Sequence, residues 1–238
     1  MLTRRMICGC LAAAPLATLA RPSIAAVDDA CTVFTPERQK ALSPADALAL
    51  LKAGNERFVS GKTTQCDLLA QSKAAAGGQA PFAAILGCID SRVPPELVFD
   101  QKIGDIFDAR VAGNFVDTNI LGSLEYSTRV AGAKLICVLG HADCGAVKGA
   151  IDGVELGNIT ALLANIRPAV VAAAAGGSVK SSKDRDFVQK VTETNVTLAT
   201  RALVDRSSTI KAMVEAKEVL IVGAVHEMAS GRVRFLDS

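Results

Sequence analysis

The chain has 238 residues, half of them hydrophobic, which is enough for one domain with a substantial core. Its 26 Lys and Arg residues and 24 Asp and Glu residues leave a formal charge of +2, with no Trp and a single Tyr. Nucleic-acid binding needs a basic face and usually aromatic side chains, so this composition argues against a nucleic-acid partner. Past the N-terminal segment no apolar run is long enough to cross a bilayer, and we expect a soluble mature protein without a membrane partner.

Residues 1–26 have the pattern of a cleaved export signal: a short basic region, an alanine-rich apolar stretch and small residues at its end. The paired Arg4 and Arg5 are typical of a twin-arginine signal, whose transporter moves folded proteins. A plain secretory signal and a buried N-terminal helix are the alternatives. We therefore predict a periplasmic or otherwise exported protein, with a linker over residues 27–42 and a single folded domain over residues 43–238.

Helices and strands alternate along the predicted domain. Ser43 as N-cap and Pro44 at the first helical position predict an amphipathic helix that continues to Gly61. Further helices are predicted from PPELVFDQ, from residues 117–130, from CGAVKGAI and from residues 157–217. Short apolar runs predict five strands, which are GGQAPFAAILGC, DIFDARVAGN, AKLICVLGH, EVLIVGAV and RVRFL. This alternation favours an α/β fold with a mainly parallel central sheet flanked by helices.

Five of the seven cysteines are assigned by their context. Cys8 and Cys10 belong to the export signal. Cys137 lies within a predicted strand, where a cysteine usually behaves as a small buried hydrophobic residue. Cys31 and Cys66 lie in flanking polar segments and are able to pair in an oxidising compartment, with two free thiols as the alternative. Two cysteines with a different context remain.

Cys88 follows one predicted strand, and His141 ends another, three residues before Cys144. Functional side chains of a parallel α/β sheet gather beyond the carboxyl ends of the strands, so these three side chains are expected to meet. Three protein ligands with one open position are typical of a catalytic zinc, and thiolate with imidazole favours zinc over magnesium or calcium. The alternatives are a thiol-redox pair, which lacks a CxxC motif, and a Cys88 nucleophile with His141 as base.

Asp90 and Arg92 follow Cys88 at alternate positions in CIDSR, and the three side chains are expected to project in the same general direction. Arg92 is able to hold Asp90 through two hydrogen bonds, which keeps the carboxylate ionised. Such a carboxylate orients a water on the metal or takes the fourth metal position itself. The alternative is a salt bridge that only stabilises the turn after a strand.

The segments CIDSRVPPELVFDQKIGDIFDARVAGN, SLEYS and VLGHADCGAV resemble the β-class carbonic anhydrases, and the resemblance extends over about residues 43–236. It implies a catalytic domain that reversibly hydrates carbon dioxide to bicarbonate and a proton. One Zn²⁺ per subunit would be held by the two cysteines and the histidine described above. Asp90 and Arg92 would form a dyad that orients zinc-bound hydroxide, although Asp90 ligates the zinc in a closed, inactive state of the family.

The same resemblance implies a substrate pocket. Gln79 resembles a glutamine that donates to the substrate across a dimer interface, Phe107 and Tyr126 resemble the aromatic lining, and the backbone amide of Gly145 would lie near the bound anion. For Tyr126 the alternative is a buried core tyrosine. A homodimer is then the smallest assembly expected, with carbon dioxide and bicarbonate as small-molecule partners.

Two other functions fit the same motifs: hydrolysis of carbonyl sulfide or carbon disulfide, and zinc binding without catalysis. The retention of both Asp90 and Arg92 argues against simple zinc binding. Near the C-terminus, GAVHEMASGRV departs from the family pattern GxxxDxxTG and places His226 close to a predicted strand end. We expect His226 either to make a structural hydrogen bond or to accept a proton near the mouth of the site.

Overall fold

The structure is a computed structural model that describes residues 31–175 and 177–237. The predicted export signal, residues 1–26, lies outside the described residues. Within them a five-stranded sheet has the order β2-β1-β3-β4-β5, with four parallel strands and an antiparallel β5 at one edge. The strands are β1 Ala83–Gly87, β2 Ile106–Arg110, β3 Leu135–His141, β4 Leu220–His226 and β5 Val233–Phe235. This arrangement confirms the predicted α/β fold class.

Helices connect the strands and cover the sheet. They are α1 Pro36–Ala41, α2 Pro44–Val59, α3 Leu68–Ala75, α4 Pro95–Val98, α5 Thr118–Glu125, α6 Gly145–Asp152, α7 Gly157–Ala164, α8 Arg167–Ala173, α9 Arg185–Arg206 and α10 Ser208–Glu215, with a π-helical turn at Tyr126–Val130. In the two described ranges, no helix combines the length and the apolar character that crossing a bilayer requires.

The central strands β1 and β3 are buried on both faces. Ile85 lies in one hydrophobic cluster with Leu51 of α2, whereas the next residue, Leu86, lies in a second cluster with Val196 of α9. Because successive side chains of a strand point to opposite faces, both faces must be apolar. This double burial explains why the central strands appear in the sequence as continuous apolar runs.

Helix α2 begins where its sequence predicts. The Ser43 hydroxyl accepts a hydrogen bond from the Asp46 backbone N–H (3.2 Å), and the Asp46 carboxylate accepts one from the Ser43 N–H (3.0 Å). This reciprocal capping box satisfies two N–H groups that the first helical turn leaves free. The helix ends at Val59, and Gly61 follows with a φ of 67°, a conformation that disfavours further helix.

Part of the predicted linker, residues 27–42, is packed against the domain. Phe34 is only 7% exposed and belongs to the hydrophobic core. The side-chain amide of Gln39, in α1, donates to the carbonyls of Pro81 (2.6 Å) and Ala131 (2.8 Å). Residues 31–42, the N-terminal strap, are therefore folded against the domain. A six-residue helix is too short for an apolar period to reveal it in the sequence.

A disulfide bond joins Cys31 to Cys66 across a separation of 35 residues. It ties the start of the described chain to the segment between α2 and α3, and it confirms that these two cysteines pair. Cys137 is fully buried in β3, as predicted, and burial raises the pKa of its thiol to about 12.

Candidate metal centre

Three potential metal ligands meet at the carboxyl ends of β1 and β3. These strands are neighbours in the sheet, so Cys88, just after β1, lies beside His141 at the end of β3. Cys144 is the N-cap of α6 and returns to the same point. The ligand atoms of the three residues all lie within 4.8 Å of one another, and the two sulfurs are 4.0 Å apart. All three side chains are buried, as a site shielded from bulk water requires.

The environment of His141 fits a metal ion. Its Nδ1 lies 3.0 Å from the Ala142 carbonyl oxygen, which assigns the proton to Nδ1 and leaves Nε2 as an electron-pair donor. Nε2 is buried and has no hydrogen-bond partner among the described residues. Two sulfurs bound to one zinc ion at a tetrahedral angle lie about 3.8 Å apart, close to the spacing of Cys88 and Cys144. The donor set therefore fits Zn²⁺.

Hydrogen bonds to Cys88 lower the pKa of its thiol and so favour the binding of a cation. The hydrogen bond from Cys144 lowers the pKa of Cys88 to about 4, and the same contact, together with burial, raises the pKa of Cys144. The backbone N–H of Gly113 adds a second donor to Cys88 Sγ, at 3.3 Å. These contacts favour the thiolate form of Cys88, which is the form that binds a metal ion.

Asp90 borders the ligand cluster and is held by Arg92. The guanidinium donates from Nε to Oδ1 (2.9 Å) and from Nη2 to Oδ2 (2.7 Å), and the Arg92 backbone N–H donates to Oδ1 (3.0 Å). The Arg92 side chain thereby holds the pKa of Asp90 well below its usual range. Asp90 Oδ2 lies 3.8 Å from His141 Nε2, so an ionised carboxylate faces the position that a metal would occupy.

Comparison with known proteins gives a consistent assignment. A sequence profile of the carbonic anhydrase family matches residues 83–233. Carbonic anhydrase 2 of Mycobacterium tuberculosis is 35% identical in an alignment of 201 residues that covers 82% of this chain and 94% of that protein. The β-carbonic anhydrase CafA of Aspergillus fumigatus superposes with a TM-score of 0.64 at 26% identity and covers 81% of this chain and 90% of its own. The chain belongs to the β-carbonic anhydrase family.

A tetrameric β-carbonic anhydrase of Sordaria macrospora is also similar, with a TM-score of 0.61 at 25% identity, covering 86% of this chain and 98% of its own. The enzyme is therefore a carbonic anhydrase that uses zinc for the reversible hydration of carbon dioxide. The predictions of family, fold class, activity and cofactor are confirmed.

Arg110 is a residue of the carbonic anhydrase site that the sequence analysis missed. At the end of β2, it donates from Nε to the Cys88 carbonyl (2.7 Å) and from Nη2 to the Asp90 carbonyl (2.7 Å). The guanidinium thus fixes the backbone that carries Cys88 and Asp90. An arginine at a strand end is the only sign of this role in the sequence, and it means little until the pairing of β2 with β1 is known.

The predicted pocket residues of the carbonic anhydrase separate into two groups. Gly145 is the first residue of α6, directly after Cys144, and apart from its chain neighbours no side chain or backbone atom outside its own helix lies within 4 Å of a Cβ placed on it. Phe107 of β2 pairs in register with Ala84 of β1. Ala84 lies four residues before Cys88, so Phe107 is distant from the carboxyl ends of the strands, where the three potential ligands meet. Its ring contacts that of Tyr126 edge-on, with centroids 6.4 Å apart. Tyr126 is 52% exposed, which rules out the alternative of a buried core tyrosine.

Gln79 also lies far from the metal ligands of its own chain. It is exposed and precedes the amino end of β1, whereas Cys88 follows the carboxyl end. A five-residue strand alone separates the two ends by about 16 Å. The structure therefore brings together the three ligands with Asp90, Arg92 and Gly145, but it does not bring Gln79, Phe107 or Tyr126 to the same centre within one chain.

His226 lies directly beside His141. It pairs in register with His141 across β4 and β3, and it is 3% exposed. Neither of its ring nitrogens has a hydrogen-bond partner within the described ranges, so the expected structural bond is not formed there. Burial, with a smaller contribution from His141, lowers the pKa of His226.

Proposed function

We propose that this carbonic anhydrase holds its zinc ion with Cys88, His141 and Cys144, and that Asp90 orients the water that attacks carbon dioxide. The position of Asp90 carries this proposal. One of its oxygens lies 3.8 Å from His141 Nε2, while Arg92 holds both oxygens. A carboxylate that only closed a turn would have no need to face the ligand cluster.

When bound, zinc lowers the pKa of water from about 16 to about 7 and so supplies a nucleophile at neutral pH. Asp90 is acceptor-only because Arg92 keeps it ionised, so it accepts a hydrogen bond from this nucleophile and directs a lone pair at the substrate. Both Asp90 oxygens are engaged with Arg92, which favours an open state with Asp90 next to the metal over a closed state with Asp90 as the fourth ligand.

The surroundings of the site suit a small uncharged substrate and an anionic product. Phe115 belongs to the apolar cluster that contains Cys88 and Cys144, and the partly buried Val111 packs against it. Such side chains disfavour water and accommodate carbon dioxide. Gly145 opens the eight-residue helix α6, whose first N–H groups lack partners within the helix. They attract the negative charge that develops as bicarbonate forms.

Stopped-flow hydration of carbon dioxide, measured together with zinc content, tests these roles. Asp90→Asn retains the shape and the zinc but loses turnover by about two orders of magnitude, because the amide also presents a donor to the nucleophile. Cys144→Ser loses zinc as well. Full turnover in Asp90→Asn would remove the role of Asp90. Zinc-loaded wild-type protein that hydrates no carbon dioxide would indicate a zinc-binding protein, or a carbonyl sulfide hydrolase if that substrate is turned over instead.

We further propose that the enzyme is a homo-oligomer in which Gln79, Phe107 and Tyr126 complete the pocket of a neighbouring subunit. All three lie away from the metal ligands of their own chain, and the similar enzyme of Sordaria macrospora is tetrameric. The exposure of Tyr126 supports the same arrangement, since a large aromatic side chain at a subunit contact is buried on assembly.

Hybrid oligomers test the shared pocket. Asp90→Asn subunits and Gln79→Ala subunits, each of low activity alone, are mixed, dissociated and reassembled. If Gln79 acts across the interface, one site of each hybrid dimer combines an intact Asp90 with an intact Gln79. About a quarter of wild-type activity is then expected for random pairing in a two-fold symmetric dimer. Activity equal to the average of the two parents would place Gln79 in its own subunit, and a fully active Gln79→Ala parent would remove Gln79 from the site.

We also propose that the protein is exported to the periplasm or beyond. The Cys31–Cys66 disulfide supports this, because structural disulfides persist in oxidising compartments and are rare in the cytosol. Cell fractionation and mass spectrometry of the mature N-terminus test the location and the cleavage near residue 26. Replacement of Arg4 and Arg5 by Lys is expected to retain the protein in the cytosol if the twin-arginine route is used. Unchanged export would indicate the plain secretory route.

A further inference from the structure

Helix α9 lies unusually close to the sheet behind the metal site. A Cβ atom on Gly140 of β3 or Gly223 of β4 would lie 2.7 or 2.8 Å from a methyl group of Val196. Only glycine at these positions allows the helix its present distance from the strands. The approach also buries the preceding residue, Asn195, which is 4% exposed in spite of its polar side chain.

The Asn195 amide is directed at the turn that follows β2. Its Nδ2 donates to the Gly113 carbonyl at 2.8 Å in a buried hydrogen bond. The turn is closed by a bond from the Asn114 N–H to the Val111 carbonyl (3.0 Å), and Gly113 has a φ of 84°, as the third residue of a type II turn requires. Asn195 therefore fixes the peptide of Gly113, which lies next to Cys88.

The same glycine contacts a metal ligand. The Gly113 N–H donates to Cys88 Sγ at 3.3 Å. The carbonyl held by Asn195 and the N–H aimed at the sulfur flank one Cα atom, so a rotation of the turn moves both. A Cβ on Gly113 would lie 2.3 Å from Ile166 Cδ1, which leaves the turn little room on that side. The Asn195 amide holds the carbonyl of Gly113 by its hydrogen bond.

We propose that Asn195 is a positioning residue of the zinc site, which acts through Gly113 to keep an N–H donor on the Cys88 thiolate. A donor to the sulfur withdraws charge from the thiolate and orients its lone pairs toward the metal. Groups that hold ligands in this way commonly change metal affinity by 10- to 100-fold. The inference rests on the proposed role of Cys88 as a zinc ligand.

Two variants of Asn195 and one control test the inference in the full-length protein. Asn195→Leu removes the amide, and Asn195→Asp keeps its volume but replaces the donor by an oxygen, which provides a second route if one variant folds poorly. Thr192→Val is the matched control: Thr192 is buried one turn earlier in α9, and its hydroxyl donates only to the Val188 carbonyl of the same helix (2.9 Å).

The readouts are zinc affinity, from competition with a chelator, and the thiolate-to-metal charge-transfer band of the cobalt(II)-substituted protein. Both Asn195 variants are expected to bind zinc about tenfold more weakly. Their band moves to longer wavelength, because a thiolate without its donor is more easily oxidised. Thr192→Val is expected to match the wild type in both readouts.

A folded Asn195 variant with wild-type affinity and an unmoved band would overturn the inference. Equal changes in Thr192→Val would do the same, since they would indicate a general effect of α9 packing. Cys88→Ser separates this outcome from a failure of the proposed zinc site. If that variant keeps the wild-type charge-transfer band, Cys88 is not a ligand, and the assignment of the metal centre fails first.

Discussion

Asp90 and Arg92 face each other through two parallel side-chain hydrogen bonds, 2.9 Å from Nε and 2.7 Å from Nη2. The donors belong to one planar guanidinium, so the contact fixes the direction of the carboxylate as well as its charge. Arg92 is itself largely exposed, and its charge alone is screened by solvent. The geometry of the pair is therefore what the site depends on.

Arg92→Lys tests this dependence. Lysine keeps the positive charge but cannot donate two parallel hydrogen bonds from one planar group. The Asp90 carboxylate therefore gains freedom to rotate. We expect kcat to fall by about 100-fold, because small displacements of an orienting group have effects of this size. Zinc content remains at the wild-type level.

The control for that variant is Arg232→Lys, which alters an exposed ion pair with Glu56 (2.8 Å) that includes neither Asp90 nor any of the three potential metal ligands. It is expected to leave both kcat and zinc content unchanged. If Arg92→Lys retained wild-type kcat, charge alone would suffice and the argument from bidentate geometry would fail.

Removal of the Cys31–Cys66 disulfide is expected to lower the free energy of unfolding by about 3–4 kcal/mol, since the bond closes a loop with a sequence separation of 35 residues in the unfolded chain. The variant is Cys31→Ser with Cys66→Ser, measured by denaturant unfolding with zinc present. Carbon dioxide hydration per folded molecule should be unchanged. A double variant as stable as the wild type would show that the packing of Phe34 and Gln39 already holds the strap in place.

Much of the fold follows directly from local sequence. Ser43 and Pro44 give the start of α2, and the apolar runs of β1 and β3 are recognisable because both faces of the sheet are covered. The ligand set is predictable for the same reason. Cys88 and His141 follow or end two of these runs, and the carboxyl ends of neighbouring parallel strands must lie side by side.

The supporting residues are not predictable in this way. Arg110 and Asn195 donate hydrogen bonds to backbone carbonyls. Every residue has such a carbonyl, so the sequence does not indicate which ones are bonded. Their roles depend on the strand order and on how closely α9 packs against the sheet. Both are set by contacts between segments that are distant in the sequence. The strap before α2 is missed for a related reason: it is held by Phe34 and Leu42 at one hydrophobic cluster, by two hydrogen bonds from Gln39 and by the disulfide, and these contacts form no periodic pattern in the sequence.

Cys137 predicts a dependence of stability on pH. Burial raises the pKa of its thiol from 9.0 to about 12, so the unfolded state ionises first as the pH rises. The folded state is then fully favoured below pH 9 and loses stability between pH 9 and 12. At pH 10 the loss relative to pH 8 is about 1.4 kcal/mol.

Cys137→Ala isolates this contribution, since it removes the thiol and alters little else. The free energy of unfolding is measured for both proteins at pH 8 and at pH 10. The variant is expected to be the less stable protein at pH 8, because of the small cavity, and to lose less stability on going to pH 10. Parallel pH profiles would mean that the thiol ionises equally in the folded and unfolded states.

The close contact between β3 and α9 predicts a compensating pair of substitutions. Gly140→Ala places a Cβ 2.7 Å from a Val196 methyl and 3.3 Å from one of Thr192, which forces the helix outward at a cost of about 1–3 kcal/mol. Val196→Ala alone removes buried methyl groups and leaves a cavity, which also destabilises the protein. In the double variant the new methyl group occupies the space of the lost ones, so the two effects should be less than additive by about 1 kcal/mol or more.

Gly122→Ala is the matched control for the added methyl group. Gly122 lies in α5 with nothing within 4 Å of its Cβ position, so alanine there is expected to stabilise the protein by about 0.5–1 kcal/mol through helix propensity. Denaturant unfolding of the single and double variants measures all of these terms. Additive losses for Gly140 and Val196 would show that the cost of the new methyl group does not arise from its contact with Val196, and the distance between α9 and β3 would then not depend on this contact.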